Sequence, residues 1–97
     1  MNNLGILFKH LATDERIKMP HLCLYAVLYQ YWEQGHFINP IVVKRKELML
    51  LSKINAKTTY HKCLRELERY SYIIYKPSYH PTGKTEVYFL PLHNGIL

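Results

Sequence analysis

Residues 54–73 read INAKTTYHKCLRELERYSYI, and their spacing decides the fold. Tyr60, Cys63, Leu64 and Leu67 stand three and four apart, so they share one side of a helix. Each residue turns a helix by about 100°, which puts Thr58, His61, Lys62 and Arg65 on the opposite side, with Lys57 among the outward residues. One stripe is apolar and belongs in a core. The other is polar and basic and belongs in solvent or against an anion. The spacing predicts a helix over residues 56–70, with Asn55 as its cap.

Working outward, residues 52–55 form a tight connection to a shorter helix over 44–52, KRKELMLLS. That helix lacks a good capping residue, because Val43 or Lys44 would hold the position. Residues 39–43, NPIVV, are β-branched and follow a proline, which suits a short edge strand. Further upstream, Pro20 fits the first position of a helix that Gly35 ends. Its apolar rows, Leu24–Leu28–Tyr31 and Leu22–Tyr25–Tyr29–Trp32, wrap most of its girth, as expected of a central helix. A first helix over 3–12 carries Leu4, Leu7, Phe8 and Leu11 at helical spacing, with Asn3 as its cap and a polar connector over 14–19. Downstream, 72–76 (YIIYK) and 85–90 (TEVYFL) read as strands. The segment between them, KPSYHPTGK, holds Pro77, Pro81 and Gly83, so the pair is a hairpin with a long basic loop.

The order helix, short strand, helix, tight turn, helix, hairpin is that of a winged helix-turn-helix. The expected class is α+β: a three-helix core with a β-hairpin wing, plus a short N-terminal helix. Residues 1–97 would form one domain, with 1–19 as N-terminal helix and connector, 20–91 as core and 92–97 as tail. Residues 54–73 also resemble the winged-helix regulator pattern. Thr59, Tyr60, Leu64 and Leu67 match in turn, and Leu67, Glu68 and Ile73 match its exit, with Ser71 where those families favour glycine. The stretches TYHKCLREL, YKPSYHP and LYAVLYQYW look like small regulator-like proteins of bacterial mobile elements. The resemblance implies duplex DNA as the partner and no cofactor.

Charge points the same way. The net charge is +6, and residues 44–84 hold ten Lys or Arg against Glu47, Glu66 and Glu68. A charge confined to part of a small fold is the footprint of a polyanionic partner, most simply nucleic acid. Lys57, Thr58, His61, Lys62 and Arg65 are the candidate major-groove contacts. Lys44, Arg45, Lys46 and Lys53 are candidates for holding phosphates, the first three at a helix N-terminus. Tyr79, His80, Thr82 and Lys84 would form the wing contacts. Each set has a plainer reading, as a solvated helix face, a run kept for solubility, or a proline-stiffened turn. A DNA-bending accessory factor for recombination or excision and a protein–protein interaction module are the rival functions. The row Tyr25, Tyr29 and Trp32 reads as core, or as the seam of a homodimer.

Other chemistries find little support. His21-x-Cys23 and His61-x-Cys63 look like metal-ligand pairs, but residues two apart on a helix point apart. Asp14 is the one aspartate, and no glycine-rich phosphate loop is present. The expectation is therefore a non-enzyme without metal or evident small-molecule effector. No apolar run is long enough to span a membrane, the N-terminus does not read as a signal peptide, and two cysteines suit a reducing compartment, so the expected location is cytoplasmic.

Overall fold

A computed structural model describes residues 4–76 and 84–90. The apolar stripe read from the sequence organises it. Helix α4 (Lys57–Arg69) buries Tyr60, Cys63, Leu64 and Leu67, the four residues of that stripe. They meet α2 (Met19–Gln34), whose Leu24 and Leu28 are fully buried, and Leu48 of α3 (Arg45–Ser52). Helix α1 (Leu4–Thr13) adds Leu7 and Leu11 to the same core. Each buried leucine contributes about 2 kcal/mol of transfer free energy, so these helix contacts dominate the fold's stability.

The sheet closes the other side. Strands β1 (Ile41–Lys44), β2 (Ile73–Lys76) and β3 (Lys84–Phe89) pair antiparallel in the order β1-β3-β2. Alternation along each strand separates core from solvent. Ile41, Val43, Thr85, Val87 and Phe89 turn inward, while Val42, Lys44, Lys84 and Glu86 turn outward. Asn39 extends the ladder before β1 begins. Its amide donates to the Phe89 carbonyl and accepts from the Phe89 N–H, both at 3.0 Å, doing with a side chain what a strand residue does with its backbone. Among the described residues the fold is thus α+β, with four helices and a three-stranded antiparallel sheet.

The element order and types agree with the sequence reading; the helix ends differ. Helix α4 starts at Lys57, and Ala56, not Asn55, holds the cap position without a side-chain hydrogen bond. The turn explains the shift. Lys53 is left-handed (φ 63), and the N–H groups of Lys53 and Ile54 return to the carbonyls of Leu50 and Met49. Ile54 is then drawn into the core, and the chain runs extended through Ala56 before it coils. Helix α2 starts at Met19, so Pro20 holds its second position. The imidazole of His21 supplies the missing acceptor there: Nδ1 takes the Lys18 N–H at 2.8 Å. Nε2 therefore carries the proton and donates to Glu66 of α4 at 2.8 Å, joining the two helices. Helix α3 begins one residue later than expected, because Lys44 is still the last residue of β1 while it occupies the cap position.

Gly35 follows α2, but with φ −88; the left-handed positions are His36 and Phe37. The Phe37 ring packs edge-on against Trp32 and Tyr29, contacts that hold a non-glycine residue in that conformation. In the aromatic row of α2, Tyr25 and Tyr29 belong to the core and Trp32 is half-buried at its edge. Tyr25 and Tyr29 are buried, Tyr25 packs on Tyr72 and Phe89, and Trp32 stacks on Phe89 at 4.4 Å. Phe89 of strand β3 supplies the ring that packs on all three. The expected cap Asn3, the loop carrying Tyr79, His80 and Thr82, and the tail over 92–97 lie outside the described residues.

Candidate nucleic-acid interface

With one stripe of α4 buried, the opposite stripe has to face out. Lys57, Thr58, Lys62 and Arg65 are exposed, and His61 is half-buried between them. Residues 57, 61 and 65 form one row and 58 and 62 the next, so the five side chains share one face. Among the described residues, no carboxylate of the basic stretch forms an ion pair with a cation of that face. Glu47 accepts from the Tyr31 hydroxyl at 3.1 Å, Glu66 is held by His21, and Glu68 accepts the Tyr75 N–H at 3.1 Å. Among the described residues the ion pair is Arg16–Asp14, which involves no cation of this face, and His21 meets Glu66 as a neutral hydrogen-bond donor.

Helix α3 brings further charge alongside. Arg45 and Lys46 line an open cleft of about 330 Å³ together with Lys57 and Asn55 of the following segment. Its apolar lining comes from Met49, Ile54 and Leu50, the last 70% exposed. Lys44 and Lys84 were read from the sequence as members of separate sets. The sheet register makes them direct cross-strand partners at the end of the β1–β3 ladder. Like charges placed opposite one another destabilise a sheet, and this end of the ladder is electropositive. Lys53 is exposed in the turn after α3 but does not line the cleft.

His61 is the most constrained member of the set. Its Nδ1 lies 3.2 Å from the Tyr75 hydroxyl of β2, and its ring meets Tyr60 edge-on at 5.1 Å. Burial, then the charges of Arg45, Arg65 and Lys57, hold its pKa below the ordinary histidine value, so it is neutral at pH 7. Beneath it the Tyr60 hydroxyl is buried with no hydrogen-bond partner among the described residues, and burial pushes its pKa up. Tyr75 was not among the residues singled out from the sequence. The signal that could have found it is the alternation of β2: Ile73 is buried, so Tyr75, two residues on, faces the same way.

The structure brings together Lys57, Thr58, His61, Lys62, Arg65, Arg45 and Lys46 along α4 and the adjoining part of α3, with Lys44 and Lys84 at the ladder end. A surface of this kind can hold phosphates through lysine and arginine and offer hydrogen bonds to base edges. Elsewhere, Cys63 is buried and Cys23 half-buried, and no group of three or more His, Cys, Asp or Glu side chains converges among the described residues. No described helix is long and apolar enough to cross a membrane. In comparisons with known proteins, no family model, no curated protein and no solved structure matches the chain.

Proposed function

We propose that this chain is a winged helix-turn-helix protein that binds double-stranded DNA, acting as a small transcriptional regulator. In this reading α3, the turn over 53–56 and α4 form the helix-turn-helix, and the β2–β3 hairpin is the wing. Helix α4 lies in the major groove, with Lys57, Thr58, His61, Lys62 and Arg65 toward the bases. Lys44, Arg45, Lys46, Lys53 and Lys84 face phosphates. The observation that carries the reading is an unneutralised cationic face beside three carboxylates that are each engaged by another partner. A surface kept basic only for solubility has no reason to keep its own acidic residues occupied elsewhere.

Selection of duplexes from a random pool tests it, followed by a salt titration of the selected site. The expected result is a recurring motif whose affinity falls linearly with log salt, with a slope of about −0.9 per phosphate contacted. Absence of duplex binding at low salt would refute it.

A homodimer is a second reading, and the outer side of the molecule favours it. Ile38, Val42 and Leu51 are exposed at 67%, 54% and 52% around clefts that share Tyr31. Scattered apolar residues are ordinary, but a contiguous set beside an edge strand is a surface that association would cover. Sedimentation velocity reads the outcome: a monomer at every concentration, with and without duplex, excludes it.

A further inference from the structure

We propose that Tyr75 is a positioning residue for the duplex-binding face: its phenol fixes His61 with the proton on Nε2, so that His61 presents one oriented N–H donor and favours a guanine edge. This assignment rests on the duplex-binding reading and adds to it a residue and a base preference.

The geometry joins two elements. His61 lies mid-way along α4 and Tyr75 on β2, and Nδ1 and the phenol oxygen approach to 3.2 Å. Either group can donate in principle, and the chemistry decides. A phenol O–H, with a pKa near 10, is a far stronger donor than a neutral imidazole N–H, and the bare imidazole nitrogen is the stronger acceptor. The Tyr75 O–H therefore donates to Nδ1. A neutral imidazole that accepts at Nδ1 carries its proton on Nε2.

The neutral form is the one present, because burial and the charges acting on the ring among the described residues both oppose protonation. Those charges are Arg45 of α3 and Lys57 and Arg65, which flank the ring on α4; from β2 it meets the Tyr75 hydroxyl. A second positive charge there is opposed from both helices. The ring cannot flip without giving up the Tyr75 bond, and its edge contact with Tyr60 limits its swing.

A fixed single donor discriminates between bases. Guanine shows two acceptors, N7 and O6, in the major groove and adenine and thymine one each, whereas cytosine shows only an amino donor that Nε2–H would meet donor to donor. Lys57 and Arg65, one helical turn to either side in the same row, are also donors only. The row 57–61–65 thus presents donors throughout and suits a guanine-rich strand. Without Tyr75 the imidazole gains its other tautomer and a flipped orientation, both of which accept from cytosine or adenine amino groups.

The test pairs wild type with Tyr75→Phe. Long-range proton–nitrogen NMR on the free protein reads the tautomer. The expected result is Nε2–H for wild type and a mixture for the variant, and an Nδ1–H tautomer in wild type would overturn the assignment. Duplex selection at pH 7.5 then reads base preference. The variant should lose roughly fivefold of its guanine preference at one position, the worth of about one hydrogen bond, and keep it at the others. An unchanged preference, or a loss equal for all sequences, would overturn the role of Tyr75 and leave duplex binding standing. A wild-type protein that selects no duplex removes the duplex reading and this assignment with it.

Discussion

Ser71 shows how much one side chain decides. It follows α4 with φ 70, and the N–H groups of Ser71 and Tyr72 return to the carbonyls of Glu68 and Leu67. That closure is the usual helix stop for glycine, which pays no Cβ penalty there. Ser71→Gly should therefore raise stability by about 0.5–1 kcal/mol, read as a higher urea midpoint with unchanged slope. A lower midpoint would show that the hydroxyl matters more than the angle. Asp14 is the second case. It accepts from the Arg16 guanidinium at 2.9 and 2.7 Å, from the Arg16 N–H, and from the Tyr72 hydroxyl at 2.8 Å. The Arg16 pairing, helped by Tyr72, holds its carboxyl well below the usual carboxylate range. A folded-state pKa below the unfolded one gives stability that is complete above about pH 4 and is lost as pH falls further. Asp14→Asn should lower stability at pH 7 and flatten the acid limb of the stability curve. An acid limb identical to that of wild type would assign the acid sensitivity to other groups.

Among the elements, α4 was the most legible and its ends the least. A period of three and four is enforced by the core, so Tyr60, Cys63, Leu64 and Leu67 announce themselves. A cap is decided by the turn before it, and the burial of Ile54 and the left-handed Lys53 are tertiary facts that propensity does not carry. The same limit hid Tyr75, whose importance comes from what stands opposite it across the fold. Elements also divide the expected effects of substitution. Arg65 projects from the middle of α4, and Lys44 closes β1 opposite Lys84. Arg65→Ala should reduce affinity and change sequence preference, at a cost of about 1–3 kcal/mol for its preferred base. Lys44→Ala should weaken all duplexes alike and reduce the salt slope by about 0.9, while relief from Lys84 leaves the free protein no less stable. Binding assays on both variants across several duplexes and salt concentrations check this, and sequence-blind losses from both would remove the groove assignment.

At the scale of the whole molecule, the core is shared along the chain while the charge is not. Residues before and after Lys44 contribute to the buried core about equally, and the basic residues of the second part ride on elements whose inner faces fill that core. Charge asymmetry was readable at once, since it needs only a count along the chain. The meeting of Lys44 with Lys84, forty residues apart in sequence, needed the sheet register. The packing of Tyr25, Tyr29 and the half-buried Trp32 likewise needed Phe89, contributed by the last strand. The proposed function requires that the cationic side of the molecule meet a duplex through α4. Amide chemical-shift mapping during titration with a selected duplex tests it most directly. The predicted result is a set of shifts concentrated at residues 44–46, 57–65, 75 and 84. Shifts confined to residues around Ile38 and Leu51, with α4 unmoved, or no shifts in low salt, would contradict it.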